Sequence, residues 1–378
     1  MENNTQLKEM IRSMVIDVLQ GQKQETASSQ SVKQVSRGQE PGVFDTVDEA
    51  IRAAKEAQLR FEDCTLATRE KVIADIRTAM RPRVQELAQK TVEETGMGRV
   101  ADKVLKLNLT LDKTPGVEDL VTECETGDNG MTLYELSAYG VIGAITPSTN
   151  PAETLICNSI GMLAAGNAIF FSVHPGAKNL SRELVSELNQ VIAKSIGIEN
   201  LIVTLREPSI ESAQEMMLHP DVSLLVVTGG PGVVKQALQS GKKVIGAGAG
   251  NPPAFVDETA DIKKAAQDIV LGASLDNNIL CIAEKSVVAM RQIEPQLVQE
   301  MVKVGCVLVD NQQDIQRLVD LTVLPNGTPN KQFVGKNASV ILDAAHIPYN
   351  GDPRLIILRT PKDHPFAVIE MLMPILPV

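Results

Sequence analysis

The sequence predicts an α/β protein with a mostly parallel sheet in a first lobe and a second α/β lobe after it. Short apolar runs alternate with helical patterns through the middle of the chain, which is the order that βαβ units produce. The chain has 378 residues, more than a single hydrophobic core usually holds. Polar or Gly-rich residues follow several apolar runs, at the strand ends where α/β proteins bind ligands.

The N-terminal residues 1–20 carry one apolar stripe. Its side chains recur at steps of three and four residues, as on one face of an α-helix: Leu7, Met10, Ile11, Met14, Val15, Val18 and Leu19. Residues 21–42 contain only two valines as large apolar side chains, so we expect a flexible linker. The helix either docks on its own core or binds a groove on another protein. The stripe lacks Trp and Phe, which disfavours a membrane surface.

Helix and strand signals continue in order from residue 46. The T-V-D-E pattern at 46–49 opens a helix, and 68–95 is a helical stretch that contains Pro82 and ends at Gly96. The predicted strands of the first sheet are 139–145, 167–173, 200–205 and 223–230, with helices at 151–165, 178–196 and 209–218. The second lobe is predicted to contain a helix at 261–274, a strand around 282–290, a helix at 294–304, a strand at 304–310 and another helix. A hairpin is predicted at 117–137, outside the first sheet.

Composition excludes several classes of function. The formal net charge of -11 argues against nucleic acid, whose binding requires clustered Lys and Arg. No uncharged apolar run approaches the ~18 residues of a membrane span. The five cysteines form no C-x-x-C pair and no metal-ligand spacing, so we expect no metal, a reducing cytoplasmic setting and a reactive thiol in preference to a disulfide.

Polar or Gly-rich residues follow apolar runs at four places, 146–151, 173–178, 227–232 and 246–253. In the third of these, Thr228, Gly229 and Gly230 join a buried strand to a helix, where backbone amides favour a pyrophosphate. The G-x-G-x-x-G spacing is absent there, and Pro252 and Pro253 prevent a helix start in the fourth. Spacing alone leaves a plain turn and a phosphate site open.

Cys281 is the candidate nucleophile. It lies in D-N-N-I-L-C-I-A-E-K, directly before a predicted strand, so we expect the thiol to point into a cleft between the two lobes. The alternative is a small core residue, the usual role of a lone cysteine. Cys157 and Cys306 lie in equally apolar sequence, so composition does not separate the three.

Nine segments in sequence order carry a family resemblance. They are ETGMGRVADK at 94–103, TPGVEDL at 114–120, TGDNGM at 126–131, ITPSTNPAET at 145–154, MLAAGNAIFFSVHPGAK at 162–178, VVTGGPGVV at 226–234, SGKKVIGAGAGNPP at 240–253, VDETAD at 256–261 and NNILCIAEK at 277–285. Together they resemble the coenzyme A-acylating aldehyde dehydrogenases of bacterial microcompartments, within the aldehyde dehydrogenase superfamily. The propanal-oxidising enzymes of 1,2-propanediol degradation are most similar, and the acetaldehyde dehydrogenases of ethanolamine degradation are nearly as similar.

This resemblance implies a domain plan. Residues 43–258 would form a Rossmann-type NAD-binding domain with an oligomerisation hairpin at 117–137, and 259–378 a catalytic domain. Residues 1–20 would be an encapsulation helix that binds a shell protein and directs the enzyme into the microcompartment lumen. The family continues beyond the position of Val378, so we expect a truncated catalytic domain, and a homo-oligomer for a full-length chain.

The resemblance also implies a mechanism. The Cys281 thiolate would add to a short-chain aldehyde, hydride would pass to NAD, and coenzyme A (CoA) would take the acyl group from the resulting thioester. The Asn150 amide and the Cys281 N–H would form the oxyanion hole, although Asn150 is also explained as a helix N-cap or a turn residue before Pro151. The candidate cofactor-binding residues are Thr146, Pro147, Ser148, His174, Pro175, Gly176, Thr228, Gly229, Gly230, Val233, Gly248 and Glu370. His174 stands where hydrolytic relatives carry Lys, which leaves the choice of NAD over NADP less certain.

One departure from the hydrolytic relatives predicts the product. Those enzymes carry a glutamate base near the start of the segment that here occupies 244–253, which contains no carboxylate. Without a base to activate water, the thioester should persist until a thiol attacks it. We therefore expect acyl-CoA, with two alternatives left open: an ethanolamine-type acetaldehyde enzyme and a truncated, non-catalytic shell-associated protein.

Overall fold

The computed structural model describes residues 40–378, so the predicted helix at 1–20 and most of the predicted linker lie outside the described residues. The strands are β1 (Val43–Phe44), β2 (Glu123–Gly127), β3 (Gly130–Tyr134), β4 (Val141–Ile145), β5 (Ala168–Ser172), β6 (Ile202–Leu205), β7 (Val222–Thr228), β8 (Lys243–Ala247), β9 (Pro253–Val256), β10 (Ser286–Ala289), β11 (Val307–Val309), β12 (Ile356–Leu358) and β13 (Ile375–Pro377). The helices are α1 (Val47–Glu62), α2 (Leu66–Met80), α3 (Val84–Thr95), α4 (Val100–Lys113), α5 (Pro151–Ala164), α6 (Lys178–Ile196), α7 (Ile210–Leu218), α8 (Pro231–Gln239), α9 (Ile262–Ser274), α10 (Glu294–Lys303), α11 (Gln312–Thr322), α12 (Ala338–Ala344) and α13 (Pro365–Val368). No helix in this range is long and apolar enough to cross a membrane.

The first sheet is parallel, with strand order β1-β6-β5-β4-β7-β8. Its central strands β4 and β5 are buried along their whole length. Continuous apolar runs form them because helices cover both faces of a parallel sheet and leave no wet side. The predicted α/β class and parallel first sheet are confirmed.

Local sequence sets the helix boundaries before that sheet. The Thr46 hydroxyl accepts a hydrogen bond from the Glu49 N–H at 3.4 Å and caps α1. The predicted stretch at 68–95 is two α-helices, because a 3₁₀ turn at Arg81–Arg83 surrounds Pro82. Helix α3 ends at Gly96, whose φ of 66° is left-handed.

The predicted hairpin is present as β2 and β3. The two strands pair antiparallel from Glu123 opposite Tyr134 to Gly127 opposite Gly130. Every residue of both strands is exposed, including Met131 and Leu133. The hairpin therefore stands apart from the sheet, and its role in oligomerisation stays a prediction.

The second lobe contains two short parallel sheets, β9 with β10 and the order β11-β12-β13. Along β12, Ile356 and Leu358 pack into one core and Ile357 into another, as the two-residue period of a strand requires. The pairing of β9 with β10 joins residues on both sides of the predicted domain boundary at 258, and that boundary stays a prediction.

Candidate active site

Cys281 lies in a turn between a 3₁₀ helix at Leu275–Asn278 and strand β10. The strand predicted around 282–290 begins only at Ser286, so the cysteine stands on a loop and does not directly precede the strand. The Cys281 residue is half-buried. A nucleophile on such a loop can be reached from solvent while its backbone stays fixed by neighbouring loops.

The other two cysteines considered from the sequence lie in different surroundings. Cys306 is buried in the core of the second lobe, and burial raises its pKa to about 12, which keeps the thiol protonated. Cys157 is exposed on α5, so the expectation that it shares an apolar setting with Cys306 is wrong. Cys157 is exposed because it lies on the outward face of α5, and sequence composition does not reveal which face of a helix a residue occupies.

The loop after β8 packs against the cysteine loop. A Cβ atom added to Gly250 would lie 2.6 Å from the carbonyl oxygen of Cys281, so only glycine permits this approach. The Gly250 N–H donates to Glu370 Oε1 at 3.1 Å. Burial raises the pKa of the Glu370 carboxyl, although this hydrogen bond and the charge of Lys285 act in the opposite direction. The structure thus brings Gly250, Cys281 and Glu370 together.

Lys285 lies beneath this turn and is 3% exposed. Its Nζ donates to Asn278 Oδ1 at 2.7 Å, to Leu280 O at 2.5 Å and to Ala283 O at 3.3 Å. Burial lowers the pKa of Lys285 to about 8, against the opposing effect of Glu370, Cys281 and Glu284. The ammonium therefore holds the backbone on both sides of the candidate nucleophile.

Asn150 is the residue before α5, but its side chain makes no capping hydrogen bond. Its Oδ1 accepts a hydrogen bond from Lys106 Nζ, and its Nδ2 donates to Thr149 Oγ1 at 3.2 Å. The alternative of a side-chain N-cap is therefore not what the structure shows. Two hydrogen bonds, one from the buried Lys106 and one to Thr149, instead fix the orientation of the Asn150 side-chain amide.

Four buried charges surround Asn150, and the sequence analysis missed them. Lys106 Nζ lies 2.5 Å from Asp276 Oδ2 and 3.1 Å from Glu153 Oε1, while Lys103 Nζ lies 3.0 Å from Asp276 Oδ2. Burial lowers the pKa of Lys103, and the charge of Lys106 adds to this effect. Burial also acts to lower the pKa of Lys106, but Glu153 and Asp276 outweigh it and raise that pKa. The cluster balances two cations with two carboxylates.

Three consecutive residues before the cysteine loop are left-handed: Asp276, Asn277 and Asn278, with φ of 51°, 57° and 61°. Such backbone costs about 1 kcal/mol or more for each residue and persists where neighbours hold it. Asp276 Oδ1 accepts from the Arg99 N–H at 2.8 Å, and Asn277 Nδ2 donates to Gly335 O at 2.8 Å. In the sequence, the run D-N-N at 276–278 could have indicated this left-handed backbone, because Asp and Asn adopt it more readily than any other residue except glycine.

Apart from Glu370, the candidate cofactor residues lie at or just after the carboxyl ends of strands in the first sheet. Thr146 follows β4 and is buried, and its hydroxyl has no hydrogen-bond partner within residues 40–378. Gly230 precedes α8 without a side-chain cap, and a Cβ added to Gly230 or Gly232 would meet nothing within 4 Å. An unpaired buried hydroxyl and an open helix N-terminus fit the polar groups of a dinucleotide.

The remaining candidates lie around these two ends. Pro147 and Ser148 follow Thr146 and are half-buried, whereas Gly248 is exposed after β8 and Val233 is half-buried in α8. His174, Pro175 and Gly176 form an exposed turn after β5, in which His174 Nδ1 accepts from the Gly176 N–H at 3.0 Å. The residues thus line neighbouring strand ends, and their part in cofactor binding stays a prediction.

Comparison with known proteins identifies relatives along the whole chain. The model of the aldehyde dehydrogenase family matches residues 21–315. A propanal dehydrogenase (CoA-propanoylating) of Salmonella typhimurium is 48% identical over 377 residues, covering 100% of this chain and 79% of that protein. An acetaldehyde dehydrogenase (acetylating) of the same organism is 44% identical over 345 residues, covering 90% of this chain and 73% of that protein. The structure of a propionaldehyde dehydrogenase from the Clostridium phytofermentans fucose utilisation bacterial microcompartment superposes with a TM-score of 0.86 at 47% identity, covering 89% of this chain and 78% of that one.

Proposed function

The chain belongs to the aldehyde dehydrogenase family, and we propose that it oxidises propanal to propanoyl-CoA through a thioester on Cys281. CoA-acylating aldehyde oxidation is the activity of its relatives and of this chain, with NAD and CoA as the other reactants. The observation that carries the residue assignment is the half-buried Cys281 turn. Gly250 and Lys285 hold this turn from two sides.

The proposed residues divide the reaction into two stages. The Cys281 thiolate adds to the aldehyde carbon and forms a thiohemiacetal, whose oxyanion receives hydrogen bonds from the Asn150 side-chain amide and the Cys281 N–H. NAD, when bound, supplies the acceptor for the hydride that leaves this carbon. The resulting thioester is attacked by the CoA thiolate, which releases acyl-CoA and restores the Cys281 thiolate.

Thr146, the Thr228–Gly230 turn and Glu370 would hold NAD. The buried Thr146 hydroxyl and the uncapped amides before α8 are matched to ribose and phosphate oxygens. Glu370 accepts a hydrogen bond from the Gly250 N–H, next to Cys281, and this contact supports its proposed role in holding the nicotinamide ribose. These assignments bring the cofactor to the nucleophile from the first-sheet side.

The site favours CoA over water as the acceptor of the acyl group. Residues 244–253, which line the cysteine loop at Gly250, contain no carboxylate. Glu370 enters this space from elsewhere in the chain, but we assign its carboxylate to the nicotinamide ribose, with Oε1 also accepting from the Gly250 N–H. A water molecule therefore lacks a dedicated base, whereas a thiol ionises more readily and needs less help.

Omission of CoA tests this proposal directly. Purified protein with propanal, NAD and CoA should form NADH continuously. Without CoA we expect a burst of NADH equal to the amount of protein, followed by arrest at the thioester. Continued NADH formation with release of propanoate would show a hydrolytic enzyme, and no NADH under either condition would support the non-catalytic, shell-associated alternative.

Propanal is proposed as the preferred aldehyde over ethanal. The 48% identical relative acts on propanal, and the 44% identical relative acts on acetaldehyde. One methylene changes binding in an apolar pocket by about 1 to 3 kcal/mol, so both aldehydes should react. A larger kcat/KM for propanal supports this assignment, and a larger value for ethanal supports the ethanolamine-type alternative.

From the sequence of residues 1–20, we propose that the chain is located in the lumen of a bacterial microcompartment in the cytoplasm. Support comes from the amphipathic stripe and from the microcompartment origin of the structural relative. The proposed partner is a shell protein that accepts the apolar face. Shells isolated with the whole chain should retain it, and replacing Leu7, Ile11 and Leu19 by Gln should release it without loss of NADH formation.

We also propose that the chain forms a homo-oligomer through the β2–β3 hairpin. Met131 and Leu133 are 65% and 59% exposed, on two strands whose residues are all exposed. Large apolar side chains at such a position are typical of interfaces. The mass measured by light scattering should be a multiple of the chain mass, and Met131→Lys with Leu133→Lys should reduce it.

A further inference from the structure

The two proposed oxyanion donors share a chemical environment. Each is an N–H of an amide group, and in each amide the carbonyl oxygen accepts a hydrogen bond from a buried lysine. Lys106 bonds to the oxygen of the Asn150 side chain, and Lys285 bonds to the oxygen of Leu280. Lys106 and Lys285 are 7% and 3% exposed, so water does not easily compete for these two hydrogen bonds.

At Asn150, Lys106 determines the orientation of the side-chain amide. An ammonium group only donates hydrogen bonds, so the oxygen of the amide must face Lys106 and the nitrogen must face away. One N–H of Nδ2 donates to Thr149 Oγ1 at 3.2 Å, and the other has no acceptor within the described part of the chain. Asp276 and Glu153 pair with the Lys106 ammonium at 2.5 and 3.1 Å and hold it in place.

At Cys281 the lysine acts on the same peptide group that carries the donor. The carbonyl of Leu280 and the N–H of Cys281 belong to one amide, and Lys285 Nζ lies 2.5 Å from that carbonyl oxygen. Withdrawal of electron density through the amide makes its N–H a stronger donor. The Cys281 N–H has no hydrogen-bond partner within residues 40–378.

We infer that Lys106 and Lys285 are positioning residues that orient and polarise the two donors of the oxyanion hole. This inference rests on the proposed roles of Asn150 and Cys281. Loss of an oxyanion donor costs about a hundred- to a thousandfold in rate. Loss of the lysine behind a donor leaves the donor in place but misdirected or weakened, so we expect a decrease of about tenfold to a hundredfold.

The test uses an acyl transfer that requires neither NAD nor CoA. The Cys281 thiolate attacks 4-nitrophenyl propanoate through a tetrahedral oxyanion, expels 4-nitrophenolate and keeps the propanoyl group as a thioester. The burst of 4-nitrophenolate gives the acylation rate of Cys281. Failure of the dehydrogenase activity therefore does not affect this measurement.

A double-mutant cycle separates positioning from general damage. Lys106→Met should slow acylation about tenfold to a hundredfold in the native chain and have little further effect in Asn150→Ala, because the lysine acts through the amide. Lys242→Met is the control: Lys242 is half-buried and donates to the carbonyl oxygens of His219 and Val222, neither of which belongs to the proposed site. It should leave the acylation rate within about threefold.

Alkylation of Cys281 by iodoacetamide provides the second readout, followed at this residue by peptide mass spectrometry. Alkylation forms no oxyanion, so Lys106→Met should slow acylation while leaving the alkylation rate unchanged. Lys285→Met also removes a cation that faces the Cys281 thiolate, so it should slow both reactions but acylation by the larger factor. Lys106→Arg keeps a cation and should restore most of the acylation rate. If Lys106→Met does not fold, Lys106→Gln and Lys285→Met carry the same comparison. Equal losses in both reactions, or an undiminished effect of Lys106→Met in Asn150→Ala, would overturn the inference.

Discussion

At the residue scale, burial separates cysteines that are alike in sequence. The Cys306 thiol is held protonated in a core, whereas Cys281 is half-buried in a turn that Lys285 and Gly250 support. Only a thiolate attacks a carbonyl carbon, so reactivity follows access and charge.

Cys281→Ala should therefore abolish NADH formation from propanal and leave NAD binding intact, as measured by quenching of NADH fluorescence. Cys306→Ala is the matched variant. It should keep kcat within about twofold and lower the free energy of unfolding by ~1 kcal/mol, because it removes a small buried side chain. Equal activity in both variants would exclude Cys281 as the nucleophile.

The charge of Lys285 predicts a pH dependence of acylation. The pKa of Lys285 is lowered by burial to about 8, and the acidic groups that face it are Glu370, Glu284 and Cys281. Above a pH of about 8, Lys285 loses its proton and the Leu280 carbonyl loses its cation. The ratio of the acylation rate to the iodoacetamide alkylation rate of Cys281, in which the thiolate fraction cancels, should therefore fall above this pH. In Lys285→Arg, which stays protonated, this ratio should stay constant to pH 10, and an equal fall would contradict this prediction.

At the element scale, the sequence predicts what periodicity encodes. Strands β4 to β7 and helices α5 to α7 were predicted to within a few residues because long apolar runs and helical stripes mark them. Strands β1, β12 and β13 contain only two or three residues, too few for a period to show. Lys103 and Lys106 were missed for a related reason. A charged residue on an amphipathic helix usually faces solvent, and only tertiary contacts reveal that α4 buries them.

Replacement of two glycines by alanine should change the stability of the protein in opposite directions. A Cβ at Gly143 in β4 would collide with Met216 of α7 and lie 3.0 Å from Leu225 of β7, so Gly143→Ala should destabilise the protein by about 1 to 3 kcal/mol. Gly161 lies inside α5, and a Cβ there meets nothing within 4 Å. Gly161→Ala should stabilise the protein by about 0.5 to 1 kcal/mol. Urea unfolding of both variants checks the pair, and two changes of the same sign would contradict it.

At the scale of the whole molecule, helix α4 joins the first sheet to the cysteine loop. Lys103 and Lys106 bond to Asn150 and Thr149 on one side and to Asp276 on the other. The two proposed oxyanion donors, at Asn150 and Cys281, are far apart in the sequence, and α4 contacts the segments that carry both of them. Cofactor-side and nucleophile-side residues are thereby held in one arrangement before any ligand binds, which lowers the entropic cost of reaction.

Asp102, also on α4, provides the test of this connection. Its Oδ2 accepts hydrogen bonds from the Asp276 N–H at 3.0 Å and from Arg354 at 2.7 Å, and its side chain is 8% exposed. Asp102→Ala leaves the buried Asp276 N–H without an acceptor, which should cost about 1 to 3 kcal/mol in the free energy of unfolding. Because Asp276 holds Lys106, acylation of Cys281 should slow as well.

Asp352→Ala is the matched control for Asp102→Ala. Asp352 also pairs with an arginine of the other lobe, Arg99, but its side chain is 71% exposed, where solvent screens the ion pair. This variant should change neither unfolding in urea nor the burst of 4-nitrophenolate. In Asp102→Ala, by contrast, acylation should be slower even at temperatures where the variant is fully folded. The loop that loses its contact with Asp102 contains the left-handed residues that precede Cys281. If Asp102→Ala acylates at the native rate while it unfolds more easily, α4 stabilises the protein without positioning the donors.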